Sequence, residues 1–209
     1  PSVMQGRTLH TSTSDAPDWF YHIALPLGLL AYFVLPGITS VDILEEAARM
    51  GLKVIGLDPT LPYVALCVLP MGWCWAPYVA HTLLCDLVEK AVPNTGVLNR
   101  VSEGLPCPQF RQHDIIHWEF LDDMAQAILA GSKDEDPLAD VRRLLRAAFE
   151  EIGVCLHKED WGRGLVKSLG MTAPHPQLRL KVSEAKYWIL IKATGFASRA
   201  RFLTGRQPV

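Results

Sequence analysis

The fold is best predicted from residues 113–130, which read HDIIHWEFLDDMAQAILA. The alternation over residues 113–120 is typical of a half-buried strand. Its two faces would carry Ile116, Trp118 and Phe120 on one side and Ile115, His117 and Glu119 on the other. Residues 124–130 can return as the hairpin partner around Asp122 and Asp123. Neighbouring carboxylates repel each other and raise one another's pKa, so the turn either is solvated, as an isolated Asp-Asp pair usually is, or holds a divalent cation.

The segments on either side of this hairpin predict a larger sheet with helices. A Thr-rich strand at residues 8–14 would end at Asp15. Proline suits the first turn of a helix and predicts helices that begin at Pro77 and Pro137. The apolar stripe of the second helix would contain Leu138, Val141, Leu145, Ala148 and Ile152. With a strand at residues 154–157, the order is the split β-α-β-β-α-β arrangement of an α+β, ferredoxin-like core, which places the end of the first strand beside the hairpin turn.

Further elements are predicted outside this core. Ser40 could cap a helix over residues 41–50, followed by a strand at residues 53–57. The apolar, partly β-branched run at residues 63–69 is bounded by prolines and predicts a buried strand. Residues 93–112 are rich in glycine and proline and predict a surface insertion.

The composition is that of an ordinary globular domain. The chain has 209 residues, of which 49% are hydrophobic and 20% charged, so a wholly disordered chain is excluded. The net charge of −2 disfavours a general nucleic-acid binder. The charge is uneven, however, because residues 171–209 hold seven Lys or Arg and one acid. This segment could face a polyanion or form a solvated basic surface.

Cysteine usage and hydropathy indicate where the protein resides. The five cysteines are scattered without a C-x-x-C pair, which favours a reducing, intracellular compartment over secretion. Cys107, His113 and His117 form a weak zinc candidate because no fourth ligand lies nearby in the sequence. Residues 19–41 and 61–85 lack charges and are long enough to span a bilayer, but prolines interrupt both, which disfavours a membrane protein.

Several sequence blocks resemble, in family order, the motifs of the reverse transcriptases of retroelements and retroviruses. DAPDWFYHIAL at residues 15–25 is similar to the family's D-x-x-D-A-[FY]-x-x-I-P-L. The resemblance implies that Asp15 binds metal, that Asp18 lies near the triphosphate of the incoming nucleotide, and that Phe20 stacks under its sugar and excludes a 2′-hydroxyl. Trp19 departs from the usual Ala of the family.

A second block, LPMGWCWAP at residues 69–77, is similar to the family's L-P-[FQM]-G-W-x-x-[AS]-P. It implies that Met71 touches the base and sugar of the nucleotide. Gly72 would let the backbone approach the nucleotide or template closely, since glycine has no Cβ. His81 stands where the family often has Gln.

The remaining blocks complete the resemblance. FLDD at residues 120–123 is the counterpart of [YF]-x-D-D and implies that Asp122 is a metal ligand supported by Asp123. Residues 149–158 resemble a helix followed by G-x-x-[IL]-[NH] and a lysine that protonates pyrophosphate. The usual offset falls on Asp160, so Lys158 would be this general acid two residues early. Residues 168–171 are similar to the F-L-G hairpin that grips the primer.

The resemblance implies a polymerase palm over residues 1–170, with insertions near residues 37–60 and 93–112. Residues 171–209 would be a basic connection or the start of a thumb, with the fingers largely missing, so the isolated chain is expected to be weak or inactive. The implied activity is that of an RNA-directed DNA polymerase of a retrotransposon, a nucleotidyltransferase that uses two Mg²⁺ or Mn²⁺ ions. The implied partners are an RNA or DNA template with its primer and deoxynucleoside triphosphates, without a membrane.

Two alternatives remain open at this point. One is a degenerate, retroelement-derived domain that binds nucleic acid without activity. The other is an RNA-dependent RNA polymerase, which shares a palm with paired aspartates, although Phe20 at the sugar position favours deoxynucleotides.

Overall fold

The computed structural model describes residues 6–92, 99–109, 114–131, 136–168, 171–174, 181–182 and 184–199. Within these ranges the fold is α+β, as predicted, with a four-stranded antiparallel sheet, a smaller sheet and several helices. The strands are β1 (Arg7–Asp15), β2 (Ile116–Phe120), β3 (Asp123–Gly131), β4 (His157–Arg163), β5 (Leu165–Ser168), β6 (Met171–Pro174) and β7 (Lys181–Val182). The helices are α1 (Trp19–His22), α2 (Ser40–Arg49), α3 (Ala76–Ala91), α4 (Ala139–Glu151) and α5 (Glu184–Arg199), with a 3₁₀ segment at Leu27–Phe33.

The main sheet has the strand order β2-β3-β1-β4. β1 pairs antiparallel with both β3 and β4, and β2 pairs antiparallel with β3 in the predicted hairpin. The register sets Asp15 opposite Asp123 and Asp123 opposite Phe120. Three strands therefore reach the same level at the hairpin turn, which is where the acidic residues lie.

Helices α3 and α4 pack on one face of this sheet, which we call the helix face. Pro77 lies in the first turn of α3, where its missing N–H is not needed. The fully or nearly fully buried side chains of this core include Ala80, Leu84 and Val88 of α3, Val141, Leu145 and Phe149 of α4, and Met124 and Ile128 of β3. Burial of each large apolar side chain contributes about 1.5–3 kcal/mol, so this layer holds the helices against the sheet.

The other edge of the hairpin is covered by the chain that leads into it. Arg100 forms a parallel bridge with His117, and the Val101 amide donates to the His117 carbonyl over 2.8 Å. These contacts protect the outer edge of β2 from pairing with another chain. Part of the predicted insertion at residues 93–112 thus has a structural role, while residues 93–98 and 110–112 lie outside the described residues.

Several predicted elements differ in the structure. The predicted strand at residues 53–57 is absent, and Ile55 there is 83% exposed, because this short apolar run has no sheet to pair with in the described part of the chain. The run at residues 63–69 forms only two isolated bridges, Ala24 with Val68 and Val34 with Ala65. The 3₁₀ segment between Ala24 and Val34 interrupts the pairing, so a continuous strand cannot form there.

Element boundaries and faces also shift. Helix α2 is capped by Thr39, one residue before the predicted Ser40, through a capping box with Asp42. Phe149 completes the stripe of α4, whereas the predicted Ile152 is 48% exposed. Strand β4 of the main sheet begins at His157 and not at the predicted residue 154. The backbone N–H of Val154 still donates to the carbonyl of Phe149 and closes helix α4.

The predicted division of the β2 side chains between two faces did not indicate which face would be buried. His117 and Glu119 are buried on the helix face, while Phe120, on the opposite face, is 53% exposed. The reason is that α3 packs over the end of the hairpin and encloses the polar side chains, whereas Phe120 lies at the open end of the sheet.

The C-terminal part is only partly described. β5 and β6 pair antiparallel, with Ser168 opposite Met171, which confirms the hairpin predicted there, and residues 169–170 lie outside the described residues. The proposed boundary at residue 170 stays a prediction. Among the described residues, the helices are too short or too polar to cross a bilayer.

Candidate active site

The three predicted metal-binding acids meet at the open end of the main sheet. Asp15 ends β1 and lies directly opposite Asp123 at the start of β3, so their side chains point to the same face. Asp122 occupies the hairpin turn, and its carbonyl accepts the backbone N–H of Ala16 over 2.9 Å. We call Asp15, Asp122 and Asp123 the carboxylate cluster.

The hairpin turn that presents Asp122 is strained. Only Leu121 and Asp122 separate the paired residues Phe120 and Asp123, and Leu121 has φ 61°. A positive φ at the first of two central residues is the pattern of a type II′ turn, which usually carries glycine there. Strain of this kind costs on the order of 1–3 kcal/mol and is frequent at functional sites.

Lys158 joins the cluster through a bulge in β4. Asp15 pairs with His157 and Thr13 pairs with Asp160, so two residues of β4 lie opposite the single residue Ser14. The Lys158 ammonium donates to the Asp15 carboxylate over 3.0 Å. The structure thus brings this predicted site residue next to a predicted metal ligand.

The charged groups of the cluster shift one another's pKa values. Burial, followed by the nearby carboxylates of Asp122 and Asp15, raises the pKa of Asp123, and the positive charges of Lys158 and Lys186 oppose that rise. The hydrogen bond to Asp15 and its charge raise the pKa of Lys158. Lys186, on α5, is a site neighbour that the sequence patterns did not predict.

The donor set suits a hard divalent ion, because carboxylate oxygens are the preferred ligands of Mg²⁺. As the side chains stand, however, no three His, Cys, Asp or Glu residues in the described ranges surround a common point. The residues of the weak zinc candidate lie in different environments. Cys107 is exposed, His117 is buried beside Glu119, and His113 lies outside the described residues.

Trp19, which stands where the family motif has Ala, fixes the first nucleotide-pocket motif to the core. The Trp19 indole N–H donates to the Ala80 carbonyl over 2.9 Å, and its ring lies 5.8 Å from that of Phe149. Trp19 therefore anchors α1 between α3 and α4. Asp18 precedes it, exposed and left-handed at φ 54°, and Phe20 is half-buried against the core.

The second nucleotide-pocket motif forms a tight turn. The Trp73 amide donates to the Pro70 carbonyl over 3.2 Å, and Gly72 has φ 105°, as the third position of a type II turn requires. A Cβ on Gly72 would meet nothing within 4 Å, so the glycine is required by its φ and not by crowding. Met71 is 66% exposed at the tip of the turn.

A backbone hydrogen bond joins the two motifs. The Leu69 amide donates to the Ile23 carbonyl over 2.8 Å. The segments that carry Phe20 and Met71 are therefore neighbours, and Asp15 directly precedes the first of them.

A second cluster of ionisable groups lies on the helix face and was missed by the sequence patterns. Glu119 lies 2.7 Å from Nδ1 of His117 and accepts the Cys85 thiol over 3.6 Å. We call Cys85, His117 and Glu119 the buried polar network. The fully buried amide of Gln126 faces the same layer and has no hydrogen-bond partner within the described part of the chain. The alternation of polar residues in β2 was the sequence signal that could have indicated this network.

Comparison with solved structures identifies a likeness of fold. The foamy viral protease-reverse transcriptase, solved in complex with an RNA/DNA hybrid, matches with a TM-score of 0.50 and 14% sequence identity. The match covers 88% of this chain and 18% of that chain, so this chain spans only a small part of the viral protein. No family model and no curated protein matches the sequence. The fold is therefore reverse-transcriptase-like, and the likeness extends to the fold alone.

Proposed function

We propose that this chain forms the palm of an RNA-directed DNA polymerase, of the kind encoded by retrotransposons. The observation that carries the proposal is the register that sets Asp15 opposite Asp123, with Asp122 in the strained turn beside them. The strand order of the main sheet and the likeness to a viral reverse transcriptase support it. The substrates would be deoxynucleoside triphosphates and a primer annealed to an RNA or DNA template.

Each site residue has a role in this proposal. Asp15 and Asp122 would hold two Mg²⁺ or Mn²⁺ ions, with Asp123 supporting them. When bound, such ions stabilise the attacking and leaving oxygens of a phosphoryl displacement. Asp18 would lie near the triphosphate, Phe20 under the sugar, and Met71 and Gly72 against the base and the template. Lys158 would give a proton to the leaving pyrophosphate.

One observation favours a second candidate, a nucleic-acid-binding domain without activity. Lys158 is paired with Asp15, and no ion site is formed by the side chains of the described residues as they stand. A degenerate polymerase would keep the fold and lose the metal centre. The two candidates differ in a measurable activity.

Primer extension on a homopolymer RNA template with a DNA primer tests the proposal. Wild type, the variant Asp122→Asn and the control Asp140→Asn would be compared with Mg²⁺ or Mn²⁺, in this chain and in a longer product of the same reading frame. Asp140 is an exposed acid in the first turn of α4. Loss of a catalytic carboxylate should lower the rate on the order of a thousandfold, whereas the control should match wild type.

Equal extension by Asp122→Asn and wild type would exclude the proposed active site. If no version extends a primer but the chain binds an RNA/DNA hybrid in fluorescence anisotropy, the non-catalytic candidate is the correct one.

A further inference from the structure

Two neighbouring residues at the bulge in β4 have their side chains on opposite faces of the sheet. Lys158 has φ 49°, a left-handed conformation that residues other than glycine rarely adopt. Its side chain lies on the open face with Asp15, while Glu159 accepts Arg146 of α4 over 2.8 and 3.0 Å on the helix face. A bulge commonly changes the direction of one side chain, and this one directs a cation to the carboxylate cluster.

The two partners of the Lys158 ion pair differ in exposure. The Asp15 side chain is 9% exposed, whereas that of Lys158 is 78% exposed. The lysine therefore reaches the buried carboxylate from the solvent side, and it can leave without disturbing the core. Its ammonium lies against an oxygen that the proposed metal centre would need.

We propose that Lys158 is an internal cation of the carboxylate cluster, which competes with a divalent ion for Asp15 and so weakens metal binding. This inference rests on the proposed function, because it takes Asp15 as a metal ligand. It assigns Lys158 a role in the free protein that differs from proton transfer to pyrophosphate. Binding of the ion requires the ammonium to withdraw into solvent, so that metal affinity and the position of this side chain are coupled.

The competition is electrostatic and has a defined sign. An ammonium and a divalent ion at the same carboxylate repel each other, and the repulsion is strong where the carboxylate is buried. Removing the charge of Lys158 should therefore tighten metal binding by roughly tenfold. Keeping the charge as arginine should leave the affinity near that of wild type.

Mn²⁺ titration followed by electron paramagnetic resonance of the free ion tests this without any activity. The full chain would be compared with Lys158→Met, Lys158→Arg, Asp15→Asn and a matched control, Lys90→Met. Lys90 also pairs with an aspartate, Asp86, over 2.6 Å, but on the exposed surface of α3. Thermal unfolding of each variant checks that the fold is retained.

Tighter binding in Lys158→Met alone, with binding lost in Asp15→Asn, supports the inference. If Lys158→Met binds Mn²⁺ as wild type does while Asp15→Asn loses it, the inference is wrong and the proposed metal centre remains. If wild type and Lys158→Met both fail to bind Mn²⁺, the metal centre itself is wrong, and the inference with it.

Discussion

The two clusters of ionisable groups on the β2–β3 hairpin differ in how their charges are compensated. In the buried polar network, both carboxylate oxygens of Glu119 have partners, His117 on the same strand and Cys85 on α3. In the carboxylate cluster, the one ion pair within the described ranges joins the Lys158 ammonium to Asp15, and three acids lie close together. The Glu119 carboxylate of the buried polar network thus has its partners within the fold. The carboxylate cluster keeps an excess of negative charge at the open end of the sheet.

Under the proposed function, this difference distinguishes a structural cluster from a metal-binding one. Buried polar groups are tolerated when every partner is present, and they then fix the position of the elements that supply them. An uncompensated cluster opposes folding, and under the proposed function a bound metal ion would offset that cost. Removing an acid should therefore have opposite effects on stability in the two clusters.

The largest expected effect is on the buried polar network. Glu119→Ala leaves His117 and the Cys85 thiol buried without their acceptor, which should lower the free energy of unfolding by about 3 kcal/mol. Urea unfolding followed by circular dichroism measures it. The control Glu151→Ala removes an exposed acid at the end of α4 and should change stability by less than about 0.5 kcal/mol. A loss below about 1 kcal/mol for Glu119→Ala would show that the network is not structural.

A second, smaller effect appears at alkaline pH. Burial, and next the charge of Glu119, raises the pKa of Cys85 to about 12, from the ordinary value of 9.0. The unfolded chain would lose this thiol proton near pH 9, while the folded chain keeps it. The stability that this group contributes is therefore complete below pH 9 and is lost as the pH rises toward 12, at up to about 1 kcal/mol per pH unit.

Unfolding of wild type and Cys85→Ala between pH 8 and pH 11 measures this slope, because the other titrating groups are common to both chains. The slope should be smaller in Cys85→Ala. A matched control is Cys155→Ala, which removes an exposed thiol and should keep the wild-type slope. Identical slopes in all three chains would mean that the folded protein ionises Cys85 as readily as the unfolded chain does.

Local sequence periodicity predicted the framework that carries both clusters. The hairpin and helices α3 and α4 have strong patterns, with alternation in β2 and an apolar stripe in α4, and their positions depend little on distant contacts. The adjacency of Asp15 to the hairpin turn followed from the order of these elements. The fold could therefore be predicted to the level of the sheet and its covering helices.

The remaining features depend on contacts between distant residues. Trp19, which departs from the family motif, donates to the Ala80 carbonyl, 61 residues away. The bulge at Lys158 breaks the regular alternation on which strand prediction relies, so periodicity alone could not predict its contact with Asp15. Alternation in β2 also separates two faces without indicating which is buried, and here α3 buries the polar one.

The smallest effect belongs to the carboxylate cluster and has the opposite sign. The pKa of Asp123 is raised, by burial first and then by Asp122 and Asp15, so its ionised form is disfavoured in the folded state. A carboxyl group with a raised pKa loses stability as the pH rises through that pKa. Asp123→Asn should therefore stabilise the protein at pH 7, and the gain should vanish in acid, where the wild-type residue is protonated.

The gain at pH 7 should be a few tenths of a kcal/mol, because Asp123 is only partly buried and solvent screens its charge. Urea unfolding of wild type and variant at pH 7 and near pH 3 measures the difference, and added salt should reduce it. Asp140→Asn is the control, since its acid lies in the first turn of α4 and pairs with Arg143, so that its loss should lower stability slightly. If Asp123→Asn were destabilising at pH 7, the carboxylate cluster would be compensated within the fold, as the buried polar network is, and the excess negative charge that the proposed metal centre uses would not exist.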